Sequence, residues 1–466
     1  MTSRVVVVGG GVAGLATAYR LLASADVEPI VLEADATPGG KVRSVEVGGL
    51  ELEAGPDSLL ARKPAAVELC RELGLGDELE SPAIGAAYVW TDAGLLRFPS
   101  GPFGISADLG ELWRWPGMSR AGKLRAAADL VRRPRRDASD EALGSLLRRR
   151  IGDEATEKLV APLLGGLFAG DVDLLSVRAT FPELAVWEKD RGSLIRGARA
   201  ATRAARGRGP APAMFLRPRG GVRRLTDALA AALGPGVVRC DARVERVERV
   251  DRAAGGYLIR AGGVELPGDA VVLASPSFVT ADLVEHLAPQ AASALRAITY
   301  VSTAVVLLVY PEGTGSRLPE SSGFVVPRGK LAMTACTLIS KKWPEESFGD
   351  RAVVRCFVGA TGVEDVVDEP DGDIVEGVAR QLASLLPLPP VPEASRVVRW
   401  PRAMPQYAVG HLDRLADAER DLPAGMFVVG QGYRGAGVTD CVRQAGEIAE
   451  RVRSYLAGEI EGERVR

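Results

Sequence analysis

The chain has 466 residues, 47% of them apolar, and a formal net charge of −2. That length allows two or three domains around large cores, the charge balance argues against a nucleic-acid binder, and no apolar run approaches the roughly 20 residues of a membrane span. The five cysteines (Cys70, Cys240, Cys336, Cys356 and Cys441) are scattered without a C-x-x-C, and the histidines are only His286 and His411, so free thiols in a reducing, cytoplasmic setting and no metal site are expected.

The opening run "VVVV" (5–8) is too short for a signal peptide and leads into "RVVVVGGGVAGLATAYRLL" (4–22), a buried strand, a glycine turn and a helix. Gly9, Gly11 and Gly14 fit G-x-G-x-x-G, with Gly10, Val12 and Ala13 between them. The first glycine permits the tight turn, the second lets backbone approach a pyrophosphate, and the third lets helix pack on strand. Amides at the helix start then face phosphate charge. A second strand, "VEPIVLE", ends in Glu33 with Ala34 after it; a carboxylate there accepts from adenosine ribose hydroxyls.

"ADATPGGKVRS" then places Gly39, Gly40 and Lys41 where backbone and a cation close on the pyrophosphate from the other side. This extension is similar to that of FAD-binding flavoproteins of the amine-oxidase type, and NAD dehydrogenases generally lack it. In "GGLELEAGPDSLLARKP" a strand breaks at Gly55-Pro56, followed by Asp57 and Ser58. Those four residues are ordinary turn chemistry by themselves. In flavoproteins of this type the loop lies beside the isoalloxazine ring.

An amphipathic helix is expected over about 65–80, then a hairpin turning near Asp92 to Gly94. Residues 100–206 read as mostly helical and arginine-rich, with a helix start at Ser139, Asp140 and Glu141. The charge run 132–137 suits a solvated face or helix junction, with contact to an anionic membrane surface as the other reading. A breaker-rich linker, "RAARGRGPAPA" (203–213), precedes a helix entry at "GGVRRLTDALAAAL" and a return to strands. The runs 298–310 and 351–361 suit strands of a second sheet.

"LVAPLLGGLFAGDVDLLSVRATFPEL" (159–184), "RWPRAMPQYAVGHLDRL" (399–415) and "VVGQGYRGAGVTDCVRQAGEIAERV" (428–452) resemble the flavoprotein porphyrinogen oxidases across essentially the whole chain. "GPDSLLARKP", "LRRRIGDEA" and "GLFAGD" look more like the coproporphyrinogen III oxidases of Gram-positive bacteria than the membrane-bound protoporphyrinogen oxidases of mitochondria. The arginine of the mitochondrial branch has no counterpart, since Gly85, Ala86 and Ala87 stand there.

The resemblance implies an α/β fold in three parts. A Rossmann-like FAD-binding domain comes from 1–80, 207–276 and 396–466. A mixed-sheet substrate domain comes from 81–97 and 277–395, and a helical domain from 98–206. It places Gly9, Gly10, Gly11, Val12, Ala13, Gly14, Glu33, Ala34, Gly40 and Lys41 on the adenosine diphosphate half, with Val244 offering backbone to adenine. Gly55, Pro56, Asp57, Ser58, Trp400, Gly430, Ala436, Gly437 and Val438 lie toward the flavin. The closing glycine turn has no acidic ribose reader after it, so both glycine turns are expected to hold opposite ends of one FAD. The helix from about Val438 then aims its positive end at the ring. Tyr433 and Arg434 suit loop packing and a phosphate or surface contact.

The implied reaction is the FAD- and dioxygen-dependent six-electron oxidation of coproporphyrinogen III to coproporphyrin III in haem synthesis, yielding hydrogen peroxide. Protoporphyrinogen oxidation is the near alternative, and an amine oxidase or carotenoid desaturase on the same scaffold the further one. Partners are the porphyrinogen and dioxygen, with hand-off to haem-pathway enzymes and peripheral membrane contact left open. The cofactor carries the hard step; no catalytic side chain is assigned, and His411 suits a hydrogen-bonded structural residue. Cations at the pocket rim should prefer the four propionates of coproporphyrinogen. Lys63 is either one of them or a solvated surface lysine.

Overall fold

The computed structural model describes residues 2–137, 139–206, 213–250 and 256–459, so the 207–212 part of the expected linker lies outside the described residues. Val5, Val6 and Val7 are fully buried, as β-branched residues in a strand covered on both faces should be. Their strand, Ser3–Val8, lies between Val27–Leu32 and Ala270–Leu273, with Val238–Arg239 and Met426–Val428 outermost. These pairings are all parallel. One sheet therefore draws on the beginning, middle and end of the chain.

Its first face packs on the helices Val12–Leu21, Ala65–Glu72, Arg223–Leu233 and Val438–Leu456 through Leu15, Leu69, Leu229 and Ala445. The second face is covered by an antiparallel meander (Val244–Arg249, Tyr257–Ala261, Val264–Gly268) and the helices Ser277–Val284 and Pro289–Arg296. Glycine loops at the carboxyl ends of the parallel strands form the edge where this fold class places ligands.

A seven-stranded sheet runs in the order Ala394–Pro405, Tyr300–Val309, Val353–Val358, Met333–Leu338, Gly323–Val325, Ala87–Thr91 and Gly94–Arg97. It is mixed, because Gly323–Val325 pairs parallel with Ala87–Thr91 and the other neighbours are antiparallel. The helix Asp371–Leu385 packs Ile374, Val378 and Leu382 on one face. Both runs expected in a second sheet, and the hairpin before residue 98, are here.

Within 102–137 and 139–206, helices pack around Leu143, Leu146, Leu147 and Leu184. Inside this layer Arg150 and Asp129 pair at 2.5 Å with both side chains shut off from water. Asp129 also accepts from Ser193 Oγ and Ile195 N, and Arg150 donates to the carbonyls of Asp129 and Gly192. No helix among the described residues is long and apolar enough to cross a membrane.

Two element boundaries differ from expectation. The helix expected over 65–80 ends at Glu72, because Gly74 takes a left-handed conformation (φ +79°). The helix expected to start at Ser139 begins at Leu143. Asp140 instead accepts from Ser176 Oγ and from the amide of Gly410, a partner far along the chain. The 132–137 run is a non-helical junction, with Arg132, Arg133 and Arg136 exposed.

Candidate functional site

The first turn is built around space. Gly9 sits at φ +109°, accessible to glycine, and a methyl group at Gly14 would stand 2.0 Å from the Gly9 carbonyl oxygen. Gly11 is the opposite case: nothing lies within 4 Å of where its Cβ would be. That gap opens at the N-terminus of Val12–Leu21, with Gly10, Val12 and Ala13 around it. The second glycine loop rests on the first, with Gly39 N donating to Gly10 O at 2.9 Å and Gly40 against the Gly11 Cα. Glu33 accepts from Gly10 N at 2.6 Å and, beside Ala34, from Asp35 N at 2.8 Å. Ala242 N bonds the Glu33 carbonyl, which seats the strand starting at Val244 next to this carboxylate.

Lys41 Nζ donates to the carbonyl of Ala403 and to Gln431 Oε1, both at 2.5 Å. Burial lowers its ammonium to about 8, partly opposed by Cys441, and among the described residues it has no carboxylate partner. A half-buried cation bonded only to neutral acceptors suits an anionic ligand.

The closing turn lies against the first. Gly430 (φ +126°) stands with its Cβ direction 3.7 Å from the Ala13 Cβ. Side chains hold the loop beyond it: Tyr407 Oη donates to Gln431 O at 2.5 Å and accepts from Gly435 N at 2.9 Å. Gln444 accepts from Gly430 N and donates to Gly435 O. His411 stacks on Tyr407 at 4.0 Å and donates from Nε2 to the Tyr433 carbonyl at 2.7 Å. Burial lowers its imidazole to about 4, with the Tyr433 carbonyl opposing and Arg414 and Arg434 assisting. It is a neutral structural group at ordinary pH. Tyr433 packs with its hydroxyl on Thr280 and Ser275, and Arg434 pairs with Glu419.

Gly437 caps the closing helix Val438–Leu456 with Ala436 before it. The buried Thr439 hydroxyl in the first turn has no partner among the described residues. Asp440 binds Lys63 through both carboxylate oxygens at 2.8 and 2.9 Å, with the lysine side chain 42% exposed and the aspartate 15%. Lys63 is thus already paired.

The 55–58 loop is fastened to the seven-stranded sheet. Gly55 lies so close to Lys41 that a Cβ would meet its carbonyl at 1.9 Å. Pro56 follows, Ser58 Oγ donates to Asp57, and Trp400 Nε1 donates to the Ala54 carbonyl at 3.0 Å. Arg355 and Lys342 both reach Asp57. The sequence reading missed Arg355, Lys342, Tyr407 and Gln444. Arg355 had a visible signal, a charge inside the apolar run "VVRCFV"; its partner, in a distant loop, had none.

The empty direction at Gly11, the unneutralised Lys41 and the unpartnered Thr439 hydroxyl fit a ligand with a phosphate-bearing end and a polar ring end. A family model described as flavin-containing amine oxidoreductase matches residues 12–453. The chain is 32% identical to the coproporphyrinogen III oxidase of Bacillus subtilis, over 97% of this chain and 98% of that protein. It is 31% identical to the chloroplastic protoporphyrinogen oxidase of Oryza sativa, over 97% of this chain and 88% of that protein. The crystal structure of a candidate protoporphyrinogen oxidase from Exiguobacterium superposes with a TM-score of 0.86 at 32% identity, covering 98% of this chain and 99% of that one.

Proposed function

Because the chain belongs to the flavin-containing amine oxidoreductases and, within them, to the porphyrinogen oxidases, we propose that it oxidises coproporphyrinogen III to coproporphyrin III in haem synthesis, with FAD as its flavin and dioxygen as acceptor. The observation that carries this reading is the glycine-lined strip running from Gly11 past Gly40 to Gly430 and the start of Val438–Leu456. It suits one extended dinucleotide reaching from the first glycine turn to the closing one.

In this reading the amides around Gly9, Gly10, Gly11, Val12, Ala13 and Gly14, together with Gly40 and Lys41, hold the pyrophosphate. Glu33 and Ala34 take the ribose, and Val244 the adenine side. Gly55, Pro56, Asp57, Ser58 and Trp400 bound the ring from one side. Gly430, Ala436, Gly437 and Val438 bound it from the other, where the helix N-terminus faces developing negative charge. Bound FAD supplies a hydride acceptor that dioxygen reoxidises with release of peroxide, and repeated rounds give the six-electron total. The chain's own work is to orient, to shield from water and to anchor carboxylates. A substrate propionate that reaches Lys63 must share it with Asp440.

The preference for coproporphyrinogen is supported by the match to the Bacillus subtilis enzyme. A cytoplasmic setting belongs to the same reading, and cell fractionation checks it against recovery of the protein on membranes. The deciding experiment supplies the flavin-loaded protein with each porphyrinogen in turn and follows porphyrin fluorescence and peroxide. Faster turnover of coproporphyrinogen is expected; faster turnover of protoporphyrinogen overturns the substrate assignment.

A further inference from the structure

Buried charges meet on the sheet side of the 54–58 loop. Asp57 stands 2.9 Å from Lys342 and 3.0 Å from Arg355, and the three side chains are 12%, 11% and 4% exposed. Arg355 Nη1 also donates to the carbonyls of Gly55 at 2.8 Å and Glu53 at 3.2 Å. The clamping groups come from separate parts of the seven-stranded sheet. Arg355 lies in Val353–Val358, Trp400 in Ala394–Pro405, and Lys342 in the helical turn Ile339–Lys342 that follows Met333–Leu338. Beside them Glu53 binds the Val222 amide and leaves Oε2 without a partner among the described residues.

Such a cluster is poorly explained by stability. Desolvation of buried ions offsets most of their attraction, and well-packed apolar groups often serve a fold as well. Its effects are geometric and electrostatic. It fixes a glycine-containing loop that could otherwise shift, and it sets a local charge. One carboxylate faces two cations, so Asp57, Lys342 and Arg355 together carry a net positive charge, which the neighbouring Glu53 leaves in place while it holds its proton, below about pH 7. Burial alone would raise the Asp57 carboxyl, but Arg355 and Lys342 outweigh it and hold it well below the usual carboxylate range, so it stays ionised.

We propose that Asp57, Lys342 and Arg355 form a positioning cluster that fastens the 54–58 loop to the seven-stranded sheet and raises the reduction potential of the flavin by placing fixed positive charge behind its site. This rests on the reading of the loop as the flavin side of the pocket. A positive charge near a flavin favours electron uptake, and in a low-dielectric setting the influence reaches beyond contact distance. The residues act through the loop and its field and touch no substrate.

The test measures the midpoint potential of the flavin-loaded protein by equilibration with redox dyes, alongside its visible spectrum. Lys342→Met removes a cation and should shift the potential negative; Asp57→Asn removes the anion and should shift it positive. Shifts of opposite sign cannot come from general loosening of the fold. Arg355→Lys keeps the charge but loses the fork on Gly55 and Glu53, so its spectrum should change more than its potential. Parental potentials in both charge variants, or shifts of one sign, overturn the proposal. Should Asp57→Asn fail to fold, Lys342→Met decides alone, because Asp57 keeps Arg355. A parent protein that takes up no flavin overturns the functional reading itself.

Discussion

Gly11 and Gly14 belong to one motif, yet the structure asks different things of them. Gly14→Ala drives a methyl group into the Gly9 carbonyl and should cost about 1–3 kcal/mol or more of stability. Gly11→Ala meets open space and should cost about 1 kcal/mol or less, as expected at a helix N-cap, while sharply reducing flavin retention. Thermal melts paired with flavin absorbance on the same samples separate the two outcomes. Glu53 adds a pH-dependent test. Burial pushes its carboxyl up from 4.5 to about 7, with Asp57 adding and Arg355, the Val222 amide and Arg217 opposing. The folded chain therefore keeps a proton that the unfolded chain releases, and this group's contribution falls as pH rises from 4.5 to 7. Glu53→Gln should remove that slope and gain on the order of 1–3 kcal/mol over the parent above pH 7. Denaturant titrations of parent and variant across this range measure the difference, and His411, which loses stability in the acid direction, cancels between them. At this scale the tight turn at Gly9 and the close packing at Gly14 were legible from spacing, since local backbone geometry dictates them, whereas the bonds of Glu33 to the Gly10 and Asp35 amides were not. Arg355 was legible only as an anomaly.

The loop that opens the closing helix is held by side chains from elsewhere, chiefly Tyr407, His411 and Gln444. Tyr407→Phe strips a donor from Gln431 O and an acceptor from Gly435 N. It should cost about 1–3 kcal/mol, as buried backbone groups left unpaired do, and should weaken flavin retention as well. The helical layer depends on a different group. Asp129→Asn removes the nearer of the two carboxylates that face buried Arg150, leaving Glu188 at 3.5 Å, and should cost about 3 kcal/mol, the low end for a broken buried pair, seen as a lowered unfolding midpoint in the flavin-loaded protein. Elements governed by neighbours in sequence were readable: the first strand and helix, the hairpin, the strands of the second sheet. The start expected at Ser139 was not, because Asp140 is satisfied by Ser176 and Gly410, and no local pattern encodes a partner that distant.

For the molecule as a whole, the sequence showed the return to strands after a long helical stretch, but not which strands pair across it. The clamp between the 54–58 loop and the seven-stranded sheet is a product of that assembly and was invisible beforehand. Lys63 tests the substrate assignment at the same scale. Its pairing with Asp440 makes it a shared cation, so Lys63→Met should raise KM for a tetracarboxylate porphyrinogen by several-fold and change kcat little. This is the pattern of lost ground-state binding, read from initial rates on both porphyrinogens. Equal effects on both substrates, or none, would return Lys63 to the surface.

The parallel sheet carries a consequence for biogenesis. Ser3–Val8 emerges from the ribosome early, but its neighbour Ala270–Leu273 comes much later, and Met426–Val428, which completes the sheet, later still. Until then the nascent chain holds the first glycine turn without the closing loop that, in the proposed reading, bounds the other end of the cofactor. Flavin capture is therefore a late event in the life of each chain, and an interruption of translation before Met426 would release a product that cannot be rescued by added flavin.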